Sequence, residues 1–182
     1  MHDIVAIAGS PSSSSRSSAV LEYSKHILVK QGFKVESITV RSIPPEDLVF
    51  GNFESPALKE VSQLIEDAKG IVIATPVYKA SYTGVLKAML DLLSQYAFAG
   101  KTILPIATGG TITHLLSIDY AMKPLFSTLG ATNILRGVFI VDSQMQRTED
   151  GGIVLDDDVD LRLKESLIEL SSILQQTRLA VG

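Results

Sequence analysis

Three short segments carry the residue types that could do chemistry in this chain. In the first, Gly9-Ser10-Pro11-Ser12-Ser13-Ser14-Ser15-Arg16-Ser17-Ser18, small hydroxyls, main-chain amides and one guanidinium are packed between a short apolar run and a stretch of helical spacing. The amides fall where a helix directs the positive end of its dipole, which makes the segment an anion site. Serine hydroxyls donate to phosphate oxygens without blocking backbone approach, and Arg16 adds a cation with a planar fork. A phosphomonoester suits this set. The plainer reading of the same residues is a Ser-rich loop in which Ser17 caps the helix.

The second segment, Thr75-Pro76-Val77-Tyr78-Lys79-Ala80-Ser81-Tyr82-Thr83-Gly84, combines rigidity, aromatic surface and backbone donors. A flat tricyclic ring needs an apolar wall and amides along its polar edge, and Pro76 to Lys79 can offer both. In the third, Thr108-Gly109-Gly110-Thr111, paired glycines let the backbone come close to a ligand. Each loop alone has an ordinary structural explanation; three together at neighbouring strand ends point to one ligand. His114 follows closely but is given no catalytic role, and His2 and His26 lack the partner spacing of a metal site. The dinucleotide fingerprint GxGxxG and the phosphate-binding Gly-Lys-Ser/Thr ending are both missing. An aspartyl phosphoacceptor is disfavoured too, because its acids are replaced by Gly9-Ser10 and Thr75-Pro76.

These loops must be held by regular elements, and the apolar pattern supplies them. Strands are expected over Ile4 to Ala8, Phe33 to Val40, Gly70 to Thr75, Thr102 to Thr108 and Ile134 to Val141. Three are nearly continuous apolar runs, as in a parallel sheet covered on both faces. Helical spacing occupies Ser17 to Lys30, Pro56 to Ala68, Thr83 to Leu93, Thr113 to Leu129 and Val159 to Thr177. Five β-α units with right-handed crossovers give an α/β, flavodoxin-like, doubly wound five-stranded parallel sheet of order 2-1-3-4-5, with helices on both faces and ligands at the carboxyl ends of strands one, three and four. One domain over residues 1–182 is expected. Asp142 to Asp158 contains the turn signal Asp150-Gly151-Gly152, which could close a hairpin; a surface loop is the preferred expectation.

Composition narrows the functions. The absence of Cys excludes disulfides, thiolate nucleophiles and iron–sulfur ligation, so redox chemistry would need a borrowed cofactor. A net charge of -4 without a Lys/Arg cluster argues against nucleic acid. No apolar run is long enough to span a membrane, and the opening MHDIVAIAGSP has no basic region before its short apolar run, so a cytoplasmic protein without membrane contact is expected. The helix over Thr113 to Leu129 is apolar around much of its circumference, with Leu115, Leu116, Ile118, Met122, Leu125, Phe126 and Leu129. A dimer or tetramer would bury the surplus. Pro124 removes the amide that would bond the Tyr120 carbonyl, a defect that either a kink or a π-bulge can absorb.

Taken together, GSPSSSSRSS, ATPVYKASYTGVLKAMLD and ATGGTITHLLSIDYAMKP resemble the NADPH-dependent FMN reductase family, especially the reductase components of two-component alkanesulfonate monooxygenase systems. The likeness runs from about Ile4 to Val141. It implies that Ser10, Ser12, Arg16, Ser17 and Ser18 hold the FMN phosphate, and that Pro76, Val77, Tyr78 and Lys79 with Thr108, Gly109, Gly110 and Thr111 hold the isoalloxazine. It also implies a π-helix at Tyr120 on a subunit interface, linked to flavin release. Ser13 stands where the family often has an early Arg, which leaves the phosphate charge to Arg16. NADPH or NADH would be the reductant and a flavin-dependent monooxygenase the recipient of reduced FMN, and no acid–base side chain is obligatory. Tyr78, Lys79 and Gly109 would act by positioning. Rival readings are a flavoprotein that retains FMN and reduces quinones, azo dyes or metal oxyanions, and a non-enzymatic electron carrier.

Overall fold

The structure is a computed structural model and describes residues 2–149 and 151–181. Strands β1 (Ile4–Ala8), β2 (Val35–Thr39), β3 (Gly70–Pro76), β4 (Thr102–Gly109), β5 (Asn133–Ile134) and β6 (Val138–Val141) form one parallel sheet. Its order is β2-β1-β3-β4-β5, with β6 also paired to β4, so β5 and β6 share the outer fifth position. This is the flavodoxin-like order expected from the alternation of strands and helices.

Alternate side chains of each strand divide the core into two layers. Ile4, Ala6, Val72, Ala74, Leu104 and Ile106 face helices α1 (Arg16–Lys30) and α6 (Asp157–Val181). Val5, Ile7, Ile71, Ile73 and Ile103 face α3 (Pro56–Asp67), α4 (Gly84–Asp91) and α5 (Lys123–Thr128). Burial on both sides explains why the central strands lack a polar face. A short helix that the periodicity does not announce, α2 (Pro45–Phe50), follows β2. The Tyr23 hydroxyl donates to the Asp160 carboxylate at 2.6 Å, tying α1 to α6, and burial, followed by that carboxylate, raises the phenol above its ordinary pKa.

Two expected elements are interrupted, each by a proline. Pro105 lies within β4, and between the pairs Ile103↔Ile134 and Ile106↔Val138 the outer strand carries three residues against two. Pro105 cannot donate to a ladder, and a bulge at Leu135-Arg136-Gly137 absorbs the mismatch. The expected helix over Thr113 to Leu129 is likewise not continuous: a 3₁₀ turn over Ile112–His114 and a π-helical turn over Ile118–Met122 precede α5. The Lys123 amide bonds the Ile118 carbonyl, five residues back. Pro124 removes the normal donor for Tyr120, and the π turn takes up the extra residue.

The expected surface loop over Asp142 to Asp158 is corrected by the structure. Strands β7 (Met145–Arg147) and β8 (Ile153–Leu155) pair as a hairpin, with Gly151 at positive φ in the turn. Asp150 lies outside the described residues. Met145 and Leu155, paired in register, are buried in the layer beneath α6. Strands of three residues carry too little alternation to be visible in a sequence pattern.

Gly137 has a φ of +86°, and a Cβ there would lie 2.8 Å from both the Pro105 Cγ and the Pro105 carbonyl oxygen. Gly137→Ala is expected to lower unfolding free energy by at least about 2 kcal/mol, since backbone strain and overpacking each cost on the order of 1–3. Urea denaturation checks this, and an unchanged midpoint would refute the account of the bulge.

Candidate functional site

At the carboxyl edge of β1, β3 and β4 the three loops close around a cleft of about 240 Å³. It is lined by Ser10, Ser12, Ser14, Ser15 and Arg16 from the first loop, Pro76, Val77 and Tyr78 from the second, Thr108, Gly109 and Gly110 from the third, and Asp142 beyond β6. Hydrogen bonds lock the loops together. The Gly9 amide donates to the Ala74 carbonyl at 2.8 Å, and the Val77 amide donates to the Thr108 carbonyl at 2.7 Å. Thr83, which is fully buried, ties the first two loops through its hydroxyl, which donates to the Gly9 carbonyl, and closes the second loop on itself through its amide, which donates to the Thr75 hydroxyl at 3.3 Å. The same hydroxyl oxygen caps α4 by accepting from the Leu86 amide at 3.2 Å. A Cβ at Gly9 would stand 2.8 Å from the Leu86 Cδ2, so glycine is what lets the first loop sit against α4.

The serine loop is ordered by its own hydroxyls. The Ser12 amide donates to the Ser10 hydroxyl at 3.2 Å. Ser15, not Ser17, caps α1, accepting from the Ser18 amide, while the Ser15 and Ser17 hydroxyls pair at 2.7 Å in the interior. The expected phosphate set is thus only partly assembled: Ser10, Ser12 and Arg16 line the cleft, whereas Ser17 is turned inward and Ser18 lies against an outer recess beside β7–β8. With the Ser18 amide taken by the cap, the Arg16 and Ser17 amides are the first-turn donors left without a carbonyl partner within α1.

In the second loop Tyr78 and Ser81 exchange both amide–carbonyl bonds around Lys79 and Ala80, whose φ angles of 50° and 69° make a tight turn without glycine. Two non-glycine residues in that region store strain, a pattern that clusters at ligand sites. Tyr78 remains half exposed. Lys79 lines an adjoining recess with Val77, Tyr78, Ala80 and His114 rather than the cleft itself. Gly110 lines the cleft and has nothing within 4 Å of where a Cβ would stand. Thr111 caps the following 3₁₀ turn through Thr113 and lies off the cleft lining. Tyr120 is 79% exposed on the π turn, beside the exposed Leu115 and Leu116, while Ile118, Met122 and Phe126 fill the core.

Charge in the cleft departs from what the sequence suggests. The Arg16 guanidinium lies 3.6 Å from the Asp142 carboxylate. Arg147, on β7, donates to the Ser14 carbonyl and brings a second guanidinium against the serine loop. Neither Asp142 nor Arg147 was accessible to motif reasoning, because both belong to the segment expected to be a loop.

A doubly wound parallel sheet of this order, with the three loops meeting at its switch point, defines the flavodoxin-like class. The model of the NADPH-dependent FMN reductase family matches residues 2–146, and the chain belongs to that family. The chain is similar to an FMN reductase (NADPH) of Escherichia coli K12, 49% identical over 78% of this chain and 74% of that one. It is 33% identical, over 79% and 78%, to the NADH-dependent FMN reductase SfnE of Pseudomonas putida. Among solved structures, the apo form of the NADH:FMN oxidoreductase EMOB superposes with a TM-score of 0.82 at 37% identity, covering 93% of this chain and 88% of that one. FMN and a nicotinamide nucleotide are the family's reactants, and the cleft lining holds the groups a phosphorylated ring would need, the hydroxyls of Ser10 and Ser12 with Arg16 for a phosphate and Pro76, Val77 and Tyr78 for a ring, together with the Asp142 carboxylate.

Thr83→Val keeps the shape and removes both hydroxyl bonds. It is expected to cost about 1–3 kcal/mol of stability, the penalty for leaving buried partners unpaired, and to weaken FMN binding because the first two loops lose their tie. Thermal unfolding with and without FMN measures both effects. A stable variant with unchanged FMN affinity would contradict the role given to Thr83.

Proposed function

We propose that this chain is a cytoplasmic FMN reductase that binds FMN reversibly, passes it hydride from NADPH or NADH, and releases reduced FMN to a flavin-dependent monooxygenase of the alkanesulfonate type. The observation that carries the reading is the convergence of the three loops on one cleft at the carboxyl edge of β1, β3 and β4.

FMN, when bound, supplies the hydride acceptor. The chain supplies position and polarity. Ser10, Ser12 and Arg16 take the phosphate, aided by the Ser17 main-chain amide, while Ser18 holds Ser15 in its capping place. Pro76, Val77 and Tyr78 form the wall against the ring, and the strained turn at Lys79 keeps the Tyr78 main chain rigid. Thr108 and Gly109 end β4 beside the ring, and the Gly110 main chain lies along its polar edge, where fixed donors favour negative charge without reorganising. The apolar recess bounded by Val77, Tyr78, Lys79, Ala80 and His114 adjoins the cleft and suits the nicotinamide nucleotide. No proton transfer by a side chain is required, so substitutions here change affinity more than they abolish turnover.

Release rather than retention is supported by the exposed π turn. Tyr120, Leu115 and Leu116 form an apolar face suited to a second copy of the chain, and a π-helical turn that repacks at such an interface is a means of opening the flavin site. Among the described residues no helix is long and apolar enough to cross a membrane.

Steady-state kinetics should show NADPH or NADH oxidation that saturates with added FMN, and gel filtration should separate flavin from protein. Tyr120→Ala is expected to retain FMN through gel filtration and to turn over free FMN at least about tenfold more slowly, a change of roughly 1.4 kcal/mol. Co-elution of FMN with the wild-type protein, at a rate independent of added FMN, would favour a retained prosthetic group instead.

A further inference from the structure

The FMN cleft contains a carboxylate where a phosphate dianion is to bind. Asp142 lines the same cleft as Ser10, Ser12 and Arg16, and its Oδ2 lies 3.6 Å from the Arg16 guanidinium. Among the described residues that line the cleft Arg16 is the one cation, and the Asp142 carboxylate is set against it. The carboxylate is presented by a fixed backbone. Val141 pairs in register with Gly109 of β4, the Val141 amide donates to the Gln144 side chain at 3.0 Å, and Asp142 opens the 3₁₀ turn that follows. Both side chains still reach water, at 53% exposure for Arg16 and 36% for Asp142, so the pair is weak and exchangeable.

From this arrangement we infer that Asp142 is an internal competitor for Arg16, a positioning residue that keeps the affinity for phosphorylated flavin low enough for exchange. In the ligand-free cleft it stands in for the phosphate and holds the guanidinium near the serine loop. An entering phosphate must take Arg16 from it and then lie beside a like charge, which disfavours the bound state. A site built to retain its flavin would gain by placing a neutral donor at this position. The inference rests on the cleft being the FMN site, and it makes the effect of Asp142 specific to the phosphate rather than to the ring.

That specificity gives the test. Dissociation constants for FMN and for riboflavin, which lacks the phosphate, are measured by flavin fluorescence quenching on the wild-type protein and on Asp142→Asn. The substitution keeps the shape and leaves the Val141–Gln144 bond in place. FMN is expected to bind about two- to fivefold more tightly to the variant, the range of a solvent-exposed ion pair, with its dissociation slowed in stopped flow and riboflavin binding unchanged. Unchanged or weaker FMN binding, or equal tightening of both flavins, would overturn the inference while leaving the FMN site intact. A wild-type protein that binds neither flavin would overturn the FMN reading itself and this inference with it.

Discussion

The geometry of the site depends on one buried threonine. Thr83 reaches from the start of α4 to the Gly9 carbonyl and the Thr75 hydroxyl, so a single side chain and its amide fix the tip of β1 to the tip of β3. Because Thr83 also caps α4, moving either loop would cost a helix terminus and two buried hydrogen bonds. The Val77–Thr108 bond extends the chain of fixed points to β4. Loops that would otherwise fluctuate independently are thus held as one rigid edge, and a ligand spanning them meets donors already in place. Preorganisation of this kind lowers the ordering cost of binding.

The two prolines have complementary effects on this frame. Pro105 interrupts the ladder on the outer side of β4, and the bulge at Gly137 accommodates it below the carboxyl edge, so that Ile106–Gly109 and Val138–Val141 pair regularly up to the cleft. Pro124 does the opposite: it displaces a helical turn at the surface and leaves Tyr120 standing in solvent. One defect is closed inside the core; the other is exposed beside apolar residues of the same segment. The proposed exchange of flavin would draw on both, a stiff edge to hold the ligand and a surface element able to repack.

The fold was legible because its central strands are uniformly apolar and its helices are spaced between them. Ile4 to Ala8, Gly70 to Thr75 and Thr102 to Thr108 could be placed from their nearly continuous apolar runs, and the strand order followed from right-handed crossovers in a five-stranded doubly wound sheet. The elements that escaped were those set by few residues: α2, the three-residue strands β7 and β8, and the break between β5 and β6. The cleft was legible where glycine, proline and serine mark loops, which brought Ser10, Ser12, Arg16, Pro76, Val77, Tyr78, Thr108, Gly109 and Gly110 to one place. It was not legible where a side chain's direction decides. Ser17 turns inward because Ser15 takes the cap, and Lys79 and Thr111 point off the cleft because of the turns they stand in. Asp142 and Arg147 reach the serine loop only through the β6–β7 connection, a tertiary contact that no local spacing encodes.

In the proposed site three strand tips act as one receptor. Titrating FMN into the isotopically labelled protein and following backbone amide resonances tests this directly. The amides of Ser10 to Ser18, of Val77 to Lys79 and of Gly109 to Thr111 should shift together along one binding curve, with the far ends of the sheet unmoved. Shifts confined to a single loop, or separate curves for the three, would contradict it.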